Sequence, residues 1–344
     1  MLYSRHIPLA LVALAAWVSP ASAVDQIKSA KALVSGTITE MGRFEVSIKR
    51  SGGEVVKIPT NEIESIKFNG ENPRLSLLRS AVQGGRFEEV IKTCDELSGQ
   101  NISQVEVKQD LEYYKALALS RLALGGDGDI LAAGSNAMLN FVKTNPGSYH
   151  FLDATEIVGD LLVANGKHAM AQEYYGNLEA APWPDVRMRG AVARGRALQS
   201  ERKFAEALVV FDKAAILAGD SESEPVEAQK HAALIGKAVC LAETGKPVEA
   251  IKMLDKVIDQ IEPQRREMHA VAYNGLGRCY RKAGNAKAAL MAYLHTDLMY
   301  NTFPATHAEA LTNLAELWKE LGDANRATQA ENTLTERYKP AAKK

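Results

Sequence analysis

The chain has 344 residues, 46% of them hydrophobic and 24% charged, with 41 Lys and Arg against 42 Asp and Glu. That composition excludes a disordered chain and supplies length for one large domain or two modest ones. A net charge of −1 argues against a protein that holds nucleic acid by neutralising phosphates, and three cysteines are too few for a disulfide-stapled scaffold.

At the start of the chain, Arg5 and His6 precede an apolar run from Ile7 to Val18, and Ala21-Ser22-Ala23 follows. A positive start, a short apolar core and an A-x-A ending are the parts of a secretory signal. The run falls short of the ~20 residues that a membrane-spanning helix needs. The expectation is a signal over 1–23, cleaved after Ala23, and export to the periplasm or the extracellular space. No later segment is long and apolar enough to span a bilayer, so no stable membrane insertion is expected.

Residues 24–72 read as a small β module. Between Leu33 and Ser80 there is no alanine, although later stretches are rich in it. Apolar residues alternate there: Val34, Gly36 and Ile38, then Phe44, Val46 and Ile48, then Val55 to Ile58, then Ile63, Ile66 and Phe68. Period-two alternation with β-branched residues predicts four strands between about 32 and 69, and Ser51-Gly52-Gly53 predicts a hairpin turn. Four short strands are poorly stable as a flat sheet, so a barrel is the expected form. In strand length and in its isoleucine-rich end the segment resembles SH3-like or Sm-like small barrels. Lys49, Arg50, Lys57 and Lys67 are balanced by Glu45, Glu54, Glu62 and Glu64. No basic, aromatic face for stacking bases results. A capping or docking role is expected.

From residue 73 to 341 a helical period takes over. Five pairs of small residues sit twelve apart: Gly159/Ala171, Gly195/Ala207, Ala238/Ala250, Gly277/Ala289 and Ala315/Ala327. Seven residues after the first member of each pair come Gly166, Arg202, Gly245, Gly284 and Gly322, a turn position where glycine suits the end of a helix. The cleanest unit is Tyr273, Leu276-Gly277, Tyr280, Gly284, Ala289 and Tyr293. This spacing resembles the tetratricopeptide repeat, a helix-turn-helix unit of 34 residues. The clearest units are 152–187, 188–221, 231–264, 270–303 and 308–341, with two weaker ones upstream around Leu78/Gly85 and Leu117-Ala118/Gly125. In the second of these, Ile130 falls on the second small position, and an insertion near Gly125–Asp129 would bring Ala132, Ala133 or Gly134 there. The expected fold class is mainly α: an α-solenoid of such hairpins behind a small, barrel-like β module. Gly219 to Pro225 is expected as an acidic loop between units, and Glu331 marks a terminal unit without a neighbour.

Residues that carry chemistry are not grouped. There is no H-E-x-x-H, no Cys-x-x-Cys and no G-x-S-x-G, and Gly166-Lys167 and Gly245-Lys246 lack the rest of a phosphate loop. No metal, no cofactor and no enzymatic activity are expected. Cys94, Cys240 and Cys279 are expected as free thiols serving as small core residues.

What the resemblance implies is a concave groove lined by the first helix of each unit, holding a protein or peptide partner. Carried over by position, the groove faces are Asp153, Glu156 and Asp160; then Arg189, Val192, Arg196 and Gln199; then Ala232, Ile235, Val239 and Glu243. Asn274, Arg278, Arg281 and Lys282 follow, and then Glu309, Thr312, Glu316 and Lys319. The binding set expected is Arg189, Arg196, Gln199, Ile235, Val239, Asn274, Arg278, Arg281 and Lys282. Its two basic clusters flank an apolar stretch that suits an acidic or C-terminal group. The functional expectation is an exported, non-enzymatic adaptor of the cell envelope. The alternatives are a self-associating structural protein and a non-catalytic subunit of an envelope enzyme.

Overall fold

The computed structural model describes residues 24–219, 221 and 223–338. The signal expected over 1–23, the last residues of the basic tail (339–344), and Asp220 and Glu222 of the acidic loop lie outside these. Five antiparallel strands come first: β1 (Asp25–Ser29), β2 (Leu33–Met41), β3 (Glu45–Lys49), β4 (Val55–Pro59) and β5 (Ile63–Lys67), in the order β4-β3-β2-β1-β5. Five strands replace the four expected. β1 escapes the alternation rule because Asp-Gln-Ile-Lys-Ser offers a single apolar residue, Ile27, which is fully buried between Val34 and Ile66. The sheet bends at bulges in β1 and β2, and β4 and β5 form its two outer strands.

Among the described residues fourteen α-helices follow as seven hairpins. They are α1 (Arg74–Gln83) with α2 (Phe87–Ser98), α3 (Val105–Leu124) with α4 (Leu131–Thr144), and α5 (Phe151–Ala164) with α6 (His168–Glu179). Next come α7 (Pro184–Ser200) with α8 (Phe204–Ile216), and α9 (Glu224–Glu243) with α10 (Pro247–Gln260). The last are α11 (Arg266–Lys282) with α12 (Ala286–Met299), and α13 (Pro304–Glu320) with α14 (Ala324–Arg337). Proline opens α7, α10 and α13, where its missing N–H costs no helical bond. Asn285 and Asp323 cap α12 and α14, accepting from the backbone N–H of Ala288 and Arg326 at 3.1 Å. Part of the loop expected over 219–225 is helical: Glu224 and Pro225 form the first turn of α9, so the longer spacing there is absorbed largely by a longer helix.

The small residues work in partnership with an aromatic sixteen positions later. A Cβ built on Gly195 would lie 2.6 Å from the Phe211 ring, and one on Gly277 would lie 2.6 Å from Tyr293. Gly159 meets Tyr175 in the same way. Where the first position is alanine the partner is smaller or polar: Leu254 beyond Ala238, Glu331 beyond Ala315. Glu331 pairs with Lys319 on the end hairpin. In the second hairpin Gly134 takes the small position, where an added Cβ would stand 3.1 Å from the Leu119 carbonyl oxygen, so the upstream insertion is real. The left-handed residue of its turn is Gly126, one later than the sequence spacing suggests.

The β module shares one core with the first hairpins: Ile27, Ile48 and Ile66 belong to the same apolar cluster as Leu75, Leu78 and Tyr114. At the junction Arg79 donates to both Glu71 oxygens (2.6 and 2.9 Å) and to Asp110 (3.0 Å), and the Tyr149 hydroxyl donates to Asp110 at 3.0 Å. Glu71 also accepts the Phe68 N–H, so a buried charge cluster ties the end of the sheet to α1 and α3.

The glycine–aromatic interlock predicts a coupled pair of substitutions. Gly195→Ala is expected to cost ~1–3 kcal/mol by overpacking against Phe211. With Phe211→Leu in the same chain, the combination found naturally as Ala238/Leu254, the two effects should couple favourably by ~1 kcal/mol or more in urea unfolding. Simple additivity would contradict the interlock.

Candidate functional site: a cavity inside the solenoid

The first helices of the middle hairpins face inward and line a half-open cavity of about 790 Å³. Its apolar surface comes from Val192, Ile235, Met268 and Val271. Leu124, at the end of α3, and Phe303, just before α13, face the same space from opposite ends of the solenoid. The curvature brings these ends together: a Cβ on Gly125 would stand 3.8 Å from the Pro304 side chain. A concave groove was expected from the sequence, and the structure bends it round until the turn after α3 meets the start of α13.

Charge is arranged along the cavity wall. Arg189 donates from Nη2 to Asp153 at 2.8 Å, and its Nε lies 2.8 Å from Glu156. Asp160 accepts from the Tyr175 hydroxyl at 2.8 Å. Arg196 and Ile235 line the cavity with Arg189, so three of the nine expected residues meet there.

The other six are placed differently. Gln199 donates to the Gly236 carbonyl at 2.9 Å, bridging α7 and α9. Val239 is buried. Asn274 is buried and donates to the Thr306 carbonyl and to Glu309. Arg278 holds Glu309 at 2.6 Å, Arg281 holds Glu316 at 2.6 Å, and Lys282 holds Glu243 at 2.6 Å. The second basic cluster is therefore not available as a whole to an acidic ligand; its charges are spent on carboxylates of the neighbouring inner helices. Sequence spacing identified the inward faces but not these pairings, because a pairing depends on the angle at which one hairpin follows the next. Leu124 and Phe303 gave no local signal at all: they reach the cavity only through the accumulated curvature.

Comparison with known proteins agrees with this fold. Residues 229–296 match the tetratricopeptide repeat family. No curated protein matches the sequence significantly. A tetratricopeptide repeat protein from Parabacteroides merdae is similar in structure over 76% of this chain and 91% of its own, with 14% identity and a TM-score of 0.52. A Rap protein complexed with competence and sporulation factor is similar over 76% of this chain and 72% of its own, with 14% identity and a TM-score of 0.53. At that identity the likeness is one of fold. The helical part is a tetratricopeptide-repeat-like solenoid.

Within the solenoid the three thiols are buried and free. Burial pushes Cys94 and Cys279 up to about 12 and Cys240 up to about 11, which makes them poor nucleophiles. Glu156 is the notable acid of the cavity. Burial pushes its carboxyl up to about 7. Arg189 opposes that shift, but it is shared with Asp153, and the negative charges of Asp160 and Asp153 add to the effect of burial.

A raised carboxyl binds protons more tightly in the folded than in the unfolded chain. The stability it contributes is complete below the ordinary value of 4.5 and is lost as pH rises through about 7. Melting temperatures from pH 4.5 to 8 should therefore fall less steeply in Glu156→Gln than in the parent chain. Parallel curves would contradict the assignment.

Proposed function

We propose that the protein is an exported, non-enzymatic interaction scaffold that takes a short segment of a partner protein into the cavity of its repeats. The observation that carries this reading is the cavity itself. Its volume of about 790 Å³ and its apolar floor under a charged wall provide for a few residues of peptide rather than for a long helix passing through. The fold points the same way, since solenoids of this kind present an inner surface built by successive first helices. The Rap protein of similar fold is complexed with competence and sporulation factor, an association with a second molecule on a like architecture. Export rests on the Arg5–Ala23 pattern, and the envelope is the compartment in which the partner is to be sought.

Photo-crosslinking tests this. A benzoylphenylalanine in place of Gln229, on the cavity wall, should give a crosslinked partner in envelope fractions, and one in place of the exposed Val209 should not. The same preparation should yield a chain whose first residue is Val24. Crosslinks from position 209 alone would move the binding surface outside the cavity. A chain that keeps Met1 and stays in the cytosol would contradict export.

A further inference from the structure

Each of the seven hairpins has one left-handed residue in its inner turn. Six are glycine: Gly85, Gly126, Gly166, Gly245, Gly284 and Gly322. The seventh is Arg202, with φ 62°, the one non-glycine residue with positive φ among the described residues. An L side chain in that region costs ~1 kcal/mol or more. The side chain gained at this cost is a cation, and it lines a recess of about 480 Å³ together with Arg196 and Arg278. Arg196 stands between this recess and the large cavity and lines both.

The pairing pattern of the inner helices shows what the recess lacks. Arg196 and Arg278 occupy the same place in their repeats, one residue after Gly195 and Gly277. In front of Arg278 the next inner helix presents Glu309, six residues before Ala315, and the two form an ion pair at 2.6 Å. The residue six before Ala238, which corresponds to Glu309 in front of Arg196, is Ala232. Among the described residues neither Arg196 nor Arg202 has an ion-pair partner, while Arg189, Arg278, Arg281 and Lys282 all do. The recess's one acid, Glu243, is held by Lys282.

We propose that Arg196 and Arg202, in the recess that Arg278 helps to line, form a carboxylate-binding site at the edge of the cavity, and that the partner segment supplies there the acidic group that Ala232 does not. This rests on the partner-binding reading above and gives it a chemistry. A guanidinium fork suits a carboxylate, and two unpaired arginines beside an apolar cavity select an acidic residue next to apolar ones. The source of the carboxylate is either an Asp or Glu side chain or a chain terminus, and the two are separable.

The experiment is a titration of the purified chain, following the arginine Nε–H signals by NMR. Three probes are used: acetyl-trialanine with a free terminus, acetyl-Ala-Glu-Ala amide, and the uncharged acetyl-trialanine amide. Both carboxylate probes, or one of them, should shift the Arg196 and Arg202 signals saturably, the stronger identifying the source, and the neutral probe should not. Arg202→Gly, which restores the residue of the other six turns, should raise the melting temperature and weaken the carboxylate probe by about fivefold, the scale of one exposed ion pair. Ala232→Glu should supply the acid internally and abolish binding. Equal shifts with the neutral probe, wild-type affinity in Arg202→Gly, or inorganic phosphate binding tenfold tighter than either carboxylate would overturn the proposal. The probes do not require the partner. A failed titration with crosslinking at position 229 retained therefore removes the recess alone, and the reverse removes the cavity reading alone.

Discussion

The architecture depends on how closely the two helices of a hairpin approach each other. Gly159, Gly195 and Gly277 leave no side chain at the crossing, and the rings of Tyr175, Phe211 and Tyr293 fill the space against bare backbone. Phe211 is gripped twice, since Gly236 on the next inner helix presses on the same ring. The interlock therefore fixes the angle within a hairpin and also the step to the next one. Repeated along the solenoid, that step carries the chain round until Pro304 meets the turn after α3, and the half-open cavity lies within that curve. A methyl group at one such crossing has to be absorbed by a packed interior, which is why small changes there act over long distances.

The same step governs electrostatics. Because successive inner helices keep a constant relation, cations on one inner helix meet carboxylates on the inner helix before or after it. Arg278 with Glu309, Arg281 with Glu316 and Lys282 with Glu243 are products of that regularity. These are partly exposed pairs, and their weight lies in specifying how repeats stack more than in stability. Arg196 interrupts the pattern, facing Ala232, and Arg202 departs from the turn rule a few residues later. At the other end the sheet closes the solenoid: Phe44 meets Trp183 edge to face, and Asn61 donates to Asp185, so the β module touches α7 as well as the first hairpins.

Much of this was legible in the sequence because it is periodic. The twelve-residue small pairs and the turn position seven residues on are local signals, and the helix pairs follow them through the last five repeats. The first two hairpins were weaker to read because Leu78 and Val90 stand where small residues would mark the crossing, and because the loop around Gly126 shifts Gly134 out of register. β1 was invisible: a strand whose one apolar residue is Ile27 has no alternation to show. The Arg79–Glu71–Asp110 cluster was also invisible, since its members lie 8 and 31 residues apart and meet only when the sheet docks on α1 and α3. Of the nine expected groove residues, Arg189, Arg196 and Ile235 line the cavity, and the spacing placed the others on the inner helices without their pairings. It could not tell a free cation from a paired one.

The closure of the solenoid is the claim on which the cavity stands, and a disulfide measures it directly. The Gly125 and Pro304 Cβ positions are 3.8 Å apart, inside the range a disulfide bridges. The chain carrying Gly125→Cys and Pro304→Cys should close on mild oxidation, in dilute solution and within one molecule. Only its three native thiols would then remain to be titrated after unfolding. If both introduced thiols stay free under conditions in which the protein is folded, the turn after α3 does not meet the start of α13, and the account of the cavity is wrong.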